Sequence, residues 1–91
     1  MSVSLVLPCY NPQAGWEHVV CDGYQAFSKA IGQPAELIIV LDGTSAAVTE
    51  AALAGIHSLV PGLVVISYPD NRGKGYAIRQ GVAKATGITL D

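Results

Sequence analysis

The stretch Asn71-Arg72-Gly73-Lys74-Gly75-Tyr76-Ala77-Ile78-Arg79-Gln80-Gly81 follows an apolar run, Leu63-Val64-Val65-Ile66, and opens a helical pattern. Strand, glycine turn and helix in that order form the repeating unit of a parallel α/β sheet. Two glycines two apart free the backbone to approach a bulky group. A helix start offers unpaired N–H groups and the positive end of a dipole. Arg72 and Lys74 place two positive charges at the same turn. Amides, dipole and cations together suit a phosphate or diphosphate. A strand-to-helix turn with solvated basic residues has the same local pattern, so the stretch alone leaves both readings open. It is neither the G-x-x-x-x-G-K-[ST] loop nor a dinucleotide G-x-G-x-x-G. The latter should follow the first strand, which here runs into the glycine-free Pro8-Cys9-Tyr10-Asn11-Pro12. That argues against a dinucleotide-dependent oxidoreductase fragment.

Outward from this stretch, strands and helices alternate. Val3 to Leu7 predicts a short buried strand, with Pro8 ending its pairing. Asn11 and Pro12 resemble a helix N-cap and first position, although Gly15 can delay the start. Trp16, Val19, Val20, Tyr24, Phe27 and Ile31 recur as one apolar helical stripe, closed by Gly32 and Pro34. Glu36 to Leu41 is apolar nearly throughout and predicts a central strand. Val48, Ala52, Ile56 and Leu59 form a second stripe, which Pro61-Gly62 breaks. Leu63 to Ser67 gives a third strand. After the basic loop, Ala77, Gly81 and Ala85 share a face whose small residues allow close packing on a sheet. Gly87 is expected to cap that helix, and Ile88-Thr89-Leu90 begins a fourth strand. The order β-α-β-α-β-α-(β) means parallel strands joined by right-handed crossovers. The predicted fold class is α/β and Rossmann-like.

Composition agrees. Apolar residues make up 51% of the 91 and charged residues only 13%, as expected where strands are covered on both faces. No apolar run is long enough to span a membrane, and no secretory signal is visible. The net charge of −2 argues against a general nucleic-acid binder. Yet four of the five basic residues, Arg72, Lys74, Arg79 and Lys84, lie in one span, with acids dominating before it. This is either a basic solvent face on one helix or a local positive field at an anion site. Cys9 and Cys21 have no zinc-like spacing and read as small buried hydrophobes. They fit a reducing, cytoplasmic setting. His18 and His57 have no metal-like partners.

In an open parallel sheet, ligands bind beyond the C-terminal strand ends, where the strand order reverses. Three polar loops fall there: Pro8 to Pro12, Asp42 to Ser45, and Asp70 to Gly75. Asp42 can accept from a ribose hydroxyl or a base N–H, or close an Asx-turn through Gly43. Tyr10 can stack on a planar base or pack on the first helix. Pro8 and Asn11 shape their loop. Arg72, Lys74 and the amides near Gly73 would take a diphosphate. No triad of catalytic side chains is evident, and no catalytic residue is assigned.

Val6-Leu7-Pro8-Cys9-Tyr10-Asn11, then Ile39-Val40-Leu41-Asp42-Gly43-Thr44-Ser45, then Asn71-Arg72-Gly73-Lys74-Gly75, with Ala77, Arg79, Gly81, Ala85 and Gly87 after them, resemble the N-terminal half of a family 2 glycosyltransferase. The N-R-G-K-G-x-A-x-R-x-G form is most similar to members that transfer sugars to polyprenyl or dolichyl phosphate. The resemblance implies a truncated GT-A nucleotide-binding half that holds a UDP- or GDP-sugar, a single partial domain over residues 1–91 with sheet order 3-2-1-(4). Pro8 and Tyr10 would then flank the base, and Asp42 would contact base or ribose. The Arg72–Lys74 segment would lie near base and phosphates. It also implies an inverting transferase, of the kind that builds cell-envelope polysaccharide, working at a membrane face in the intact protein. The alternative is a non-catalytic α/β module that binds a nucleotide or phosphate at the same turn.

Two departures from the family pattern qualify this. Members often carry two acids where this chain has Leu41-Asp42. The D-x-D motif that holds Mg²⁺ or Mn²⁺ would fall beyond Leu90, and Asp91 comes too early to begin it. The expectation is therefore a segment cut before its metal ligands, inactive by itself, with the divalent cation belonging to the intact enzyme. A shortened fourth strand would leave the first strand's edge open, and open edges recruit other chains. We expect a homo-oligomer through that edge in sedimentation experiments; a stable monomer at high concentration would defeat the expectation.

Overall fold

In the computed structural model, which describes residues 3–90, the sheet is built around β2 (Glu36–Asp42), paired on both sides. β1 (Val3–Cys9) lies on one side and β3 (Val64–Tyr68) on the other; β4 (Ile88–Leu90) adds outside β1. The order is β3-β2-β1-β4 and every pairing is parallel. This is the expected fold class. The strand order reverses at β1, the start of both halves of the sheet. Leu37, Ile38, Ile39 and Val40 are essentially inaccessible to solvent, which is why β2 is apolar on both faces. Each such side chain stabilises the fold by about 1.5–3 kcal/mol relative to exposure.

Alternation along the strands divides the core in two. Leu37, Ile39 and Leu41 of β2, with Leu5 and Leu7 of β1, pack toward α1 (Trp16–Ile31) and α2 (Glu50–Leu59). Val6, Ile38 and Val40, with Val64, Ile66 and Tyr68 of β3, pack toward α3 (Lys74–Lys84) through Ala77. The Trp16 indole N–H donates to the Ala47 carbonyl at 2.9 Å and ties α1 to the approach of α2. Thr49 caps α2 by accepting from the Ala52 amide at 3.1 Å. Among the described residues, no helix is long and apolar enough to cross a membrane.

Several boundaries differ from the sequence reading. Pro8 does not stop β1: it sits opposite Val40, and pairing runs on to Cys9. Asn11 and Pro12 do not start α1. Its cap is Gly15 at φ +86°, and Asn11 takes a left-handed φ of +46° within the loop. Gly32 ends α1 as read. Ala85, not Gly87, caps α3. The α1 stripe is incompletely covered, with Val19 73% exposed. Cys9 and Cys21 are free and only half-buried, with both thiols pushed up, chiefly by burial.

The far end of the sheet is held by Glu36. Its Oε1 accepts from Ser4 Oγ (2.8 Å), Thr86 N (3.1 Å) and Thr86 Oγ1 (3.2 Å), and Ser4 Oγ accepts from Gly87 N at 3.0 Å. The Thr86 N–H above all, then Ser4, holds the Glu36 carboxyl below the usual range. One carboxylate thus joins the starts of β1 and β2 to the approach of β4.

Gly81 lets α3 lie against β1 and β2, since a Cβ there would collide with Val6 Cγ1 and crowd Val40. Gly81→Ala should therefore lower stability by about 1–3 kcal/mol. Gly55→Ala, in a helix with open space around the position, should raise it by up to about 1 kcal/mol. Urea denaturation separates the two; equal effects would rule out the close approach.

Candidate functional site

The three loops named from the sequence do meet. Pro8, Cys9 and Tyr10 at the end of β1, Asp42 at the end of β2, and Asn71, Gly73 and Lys74 before and within the first turn of α3 line one pocket of about 620 Å³. That is an ordinary size for a small-molecule site. It lies at the C-terminal strand ends beside the point of strand-order reversal. Tyr10 is 61% exposed there rather than packed on α1.

Asp42 is the anchor of this site and is only 2% exposed. As an even-numbered position of β2 it follows Ile38 and Val40 onto the α3 face, opposite Tyr68 of β3. Its carboxylate gathers the loop between β3 and α3. Oδ1 accepts from the Arg72 amide at 2.8 Å. Oδ2 accepts from the Gly73 amide at 3.0 Å and from Asn71 Nδ2 at 2.7 Å. These bonds run across to the third loop and do not close an Asx-turn through Gly43. Desolvation pushes the Asp42 carboxyl up, but the Arg72 amide, the nearby Tyr68 hydroxyl, the Gly73 amide and the Arg72 charge outweigh it. Its pKa lies below the usual aspartate value. The Tyr68 hydroxyl lies buried beside it, outside strict hydrogen-bond geometry. It is pushed up to about 12, first by burial and then by the Asp42 carboxylate, and so stays protonated.

Two glycines make this closure possible. Gly43, at φ +98°, lies under the third loop, where a Cβ would come within 3.2 Å of the Asn71 amide nitrogen. Gly73, at φ +94° and ψ 161°, takes a backbone state open essentially to glycine alone, and this turns its N–H inward to Asp42.

The arrangement redistributes the expected donors. The Arg72 and Gly73 amides face Asp42, so they are not the ones aimed outward. Ala77 N–H is bonded to the Gly73 carbonyl. The N–H groups of Lys74, Gly75 and Tyr76 open α3 and have no acceptor within the helix. Lys74 adds its charge at the pocket wall, and among the described residues it forms no ion pair. The side chains of Asn11 and Arg72 do not line the pocket. Asn11 Oδ1 accepts a long bond from Ser45 Oγ at 3.5 Å and links the first two loops. The Arg72 guanidinium lies over the Tyr76 ring, 5.4 Å from its centroid.

Cys9 and Asn71 line the pocket although neither stood among the sequence candidates. Asn71 had a readable signal, a carboxamide beside the basic turn. Cys9 had only its place in the first polar loop, Pro8 to Pro12. A second cavity of about 470 Å³ runs between α1 and β1. Leu5, Leu7, Trp16, Val20 and Phe27 line it, and it offers no charged group to hold a phosphate. Among the described residues no three His, Cys, Asp or Glu side chains cluster as a metal site would require.

The family model described as Glycosyl transferase family 2 matches residues 4–89. No curated protein and no solved structure matches the chain.

Because the folded-state pKa of Asp42 is depressed, the stability it contributes is present above the ordinary aspartate range near pH ~4. It should be lost as pH falls through the lower folded value. Asp42→Asn cannot offer two anionic oxygens to three donors. It should lower the urea midpoint at pH 7 and flatten the midpoint's decline in acid. An unchanged acid profile would show that the carboxylate does not hold the loop.

Proposed function

Since the chain belongs to glycosyl transferase family 2, we propose that its pocket binds the nucleoside diphosphate of a UDP- or GDP-sugar. The observation that carries this is the single pocket formed by three loops at the C-terminal strand ends, with a lysine that forms no ion pair among the described residues and a helix N-terminus on one wall. Tyr10 is exposed and free to stack on the base, with Pro8 beside it. Lys74 and the first N–H groups of α3 face the phosphates. The Asp42 charge sits under the Arg72–Gly73 turn, so a diphosphate is favoured toward Lys74 and away from that turn. Asp42 then serves chiefly by shaping the loop, with its remaining lone pair on Oδ1 toward base or ribose.

In the intact enzyme, an acceptor oxygen, on a polyprenyl phosphate or a glycan, attacks the anomeric carbon with inversion. The bond to the nucleoside diphosphate breaks, and this site holds the departing group. A divalent cation, Mg²⁺ or Mn²⁺, supplies charge neutralisation in that chemistry. The described residues do not fit a metal site, and the binding reading runs through Lys74 and the α3 amides.

Calorimetry with UDP, GDP, UDP-glucose and GDP-mannose tests the reading. Lys74→Ala should weaken binding by roughly ten- to a hundred-fold, the range for a hydrogen bond to a charged group. Asp42→Ala should also weaken it by releasing residues 71–73. No binding of any of the four, or tight binding indifferent to both substitutions, would sink the proposal.

A further inference from the structure

Arg72 is fixed at its backbone and displaced at its side chain. Its N–H is bonded to Asp42 at the pocket rim, and its neighbours Asn71, Gly73 and Lys74 all line the pocket. Its guanidinium instead rests on Tyr76. Tyr76 meets Tyr68 edge-on, with ring centroids 5.2 Å apart and planes at 88°. Tyr68 belongs to β3, and the pocket is walled by β1, β2 and α3. The aromatic pair therefore holds the cation over Tyr76, outside the side chains that line the pocket. Among the described residues Arg72 forms no ion pair, so the ring is the partner that fixes its position.

We propose that Tyr76 is a positioning residue that parks Arg72 beside the pocket, and that Arg72 swings onto the diphosphate when a nucleotide binds. This rests on the donor-binding reading above. The energetic order favours the swing. An exposed cation over a half-buried ring is held weakly, whereas a guanidinium meeting a phosphate forms paired, charge-assisted hydrogen bonds. The short pivot also favours it, because the Arg72 backbone stays bonded to Asp42 while only side-chain torsions change. Parking has a consequence for affinity. A ligand that must first draw Arg72 off Tyr76 binds more weakly by the fraction of time the arm is held. Tyr76 thus tunes how tightly a diphosphate is retained without touching it.

The native chain can be tested directly by NMR. In the free protein the Arg72 Nε–H and Cδ protons should carry an upfield ring-current shift from Tyr76. Saturation with UDP or GDP should remove the shift, and uridine or guanosine, lacking phosphates, should leave it in place. An unshifted Arg72 in the free protein, or a shift that survives saturation with the diphosphate, overturns the proposal. Affinity supplies an independent arm. Tyr76→Leu should tighten UDP or GDP binding by about two- to five-fold, the worth of an exposed cation–π contact. Tyr76→Phe, which keeps the ring, should restore native affinity. The gain should vanish in an Arg72→Ala background; a gain that persists there places the effect of Tyr76 elsewhere and overturns the assignment. If the native chain binds neither nucleotide, the donor-binding reading fails and the swing with it. If it binds while Tyr76 and Arg72 act independently, only the present inference fails.

Discussion

The Asp42 carboxylate, buried at the end of the central strand, is the constraint on which the site depends. A carboxylate with 2% exposure needs donors. Here they come from a loop about thirty residues away, through two backbone amides and one side-chain amide. The bonds satisfy the charge and at the same time fix the path of Asn71 to Gly73. Everything downstream follows from that path: where α3 begins, which of its N–H groups face outward, and where Lys74 stands.

The same bonds explain an apparent contradiction in the electrostatics. A glycine turn with two cations reads as an anion receptor, yet a fixed anion already occupies its inner side. Asp42 takes the amides of Arg72 and Gly73 and offsets the Arg72 charge. The receptor is thereby moved by one step along the chain, to Lys74 and the first turn of α3. Arg72, whose amide is used below and whose guanidinium is held by Tyr76, is a reserve of charge at the rim rather than part of the wall. At the opposite end of the sheet, Glu36 plays a comparable part, gathering Ser4 and Thr86 so that β4 approaches β1 in register. In each case a single acid at a strand end makes a non-local connection that apolar packing cannot direct.

The match of residues 4–89 to the family 2 glycosyltransferases agrees with the three motifs read along the chain. Two of those motifs meet through Asp42 and Asn71. The first contributes Pro8 to Tyr10 from across the pocket.

Periodicity and turn residues determined the alternation of elements and the parallel sheet, because hydrophobic spacing and glycine or proline breaks are local properties; the strand order came with the family resemblance. They also marked the three loops and most of the pocket's wall: Pro8, Tyr10, Asp42, Gly73 and Lys74. Local rules misplaced the start of α1, the end of α3 and the role of Pro8. Gly15 and Ala85 took the caps, and the pairing of β1 with β2 ran on through Pro8 to Cys9. What only the tertiary structure decided was the direction of each donor. That Arg72 and Gly73 turn their amides inward, and that Arg72 leans on Tyr76 rather than into the pocket, depends on Asp42 and Tyr68 sharing one face of adjacent strands. Strand register sets that face, and register is a relation between distant residues that no local pattern encodes.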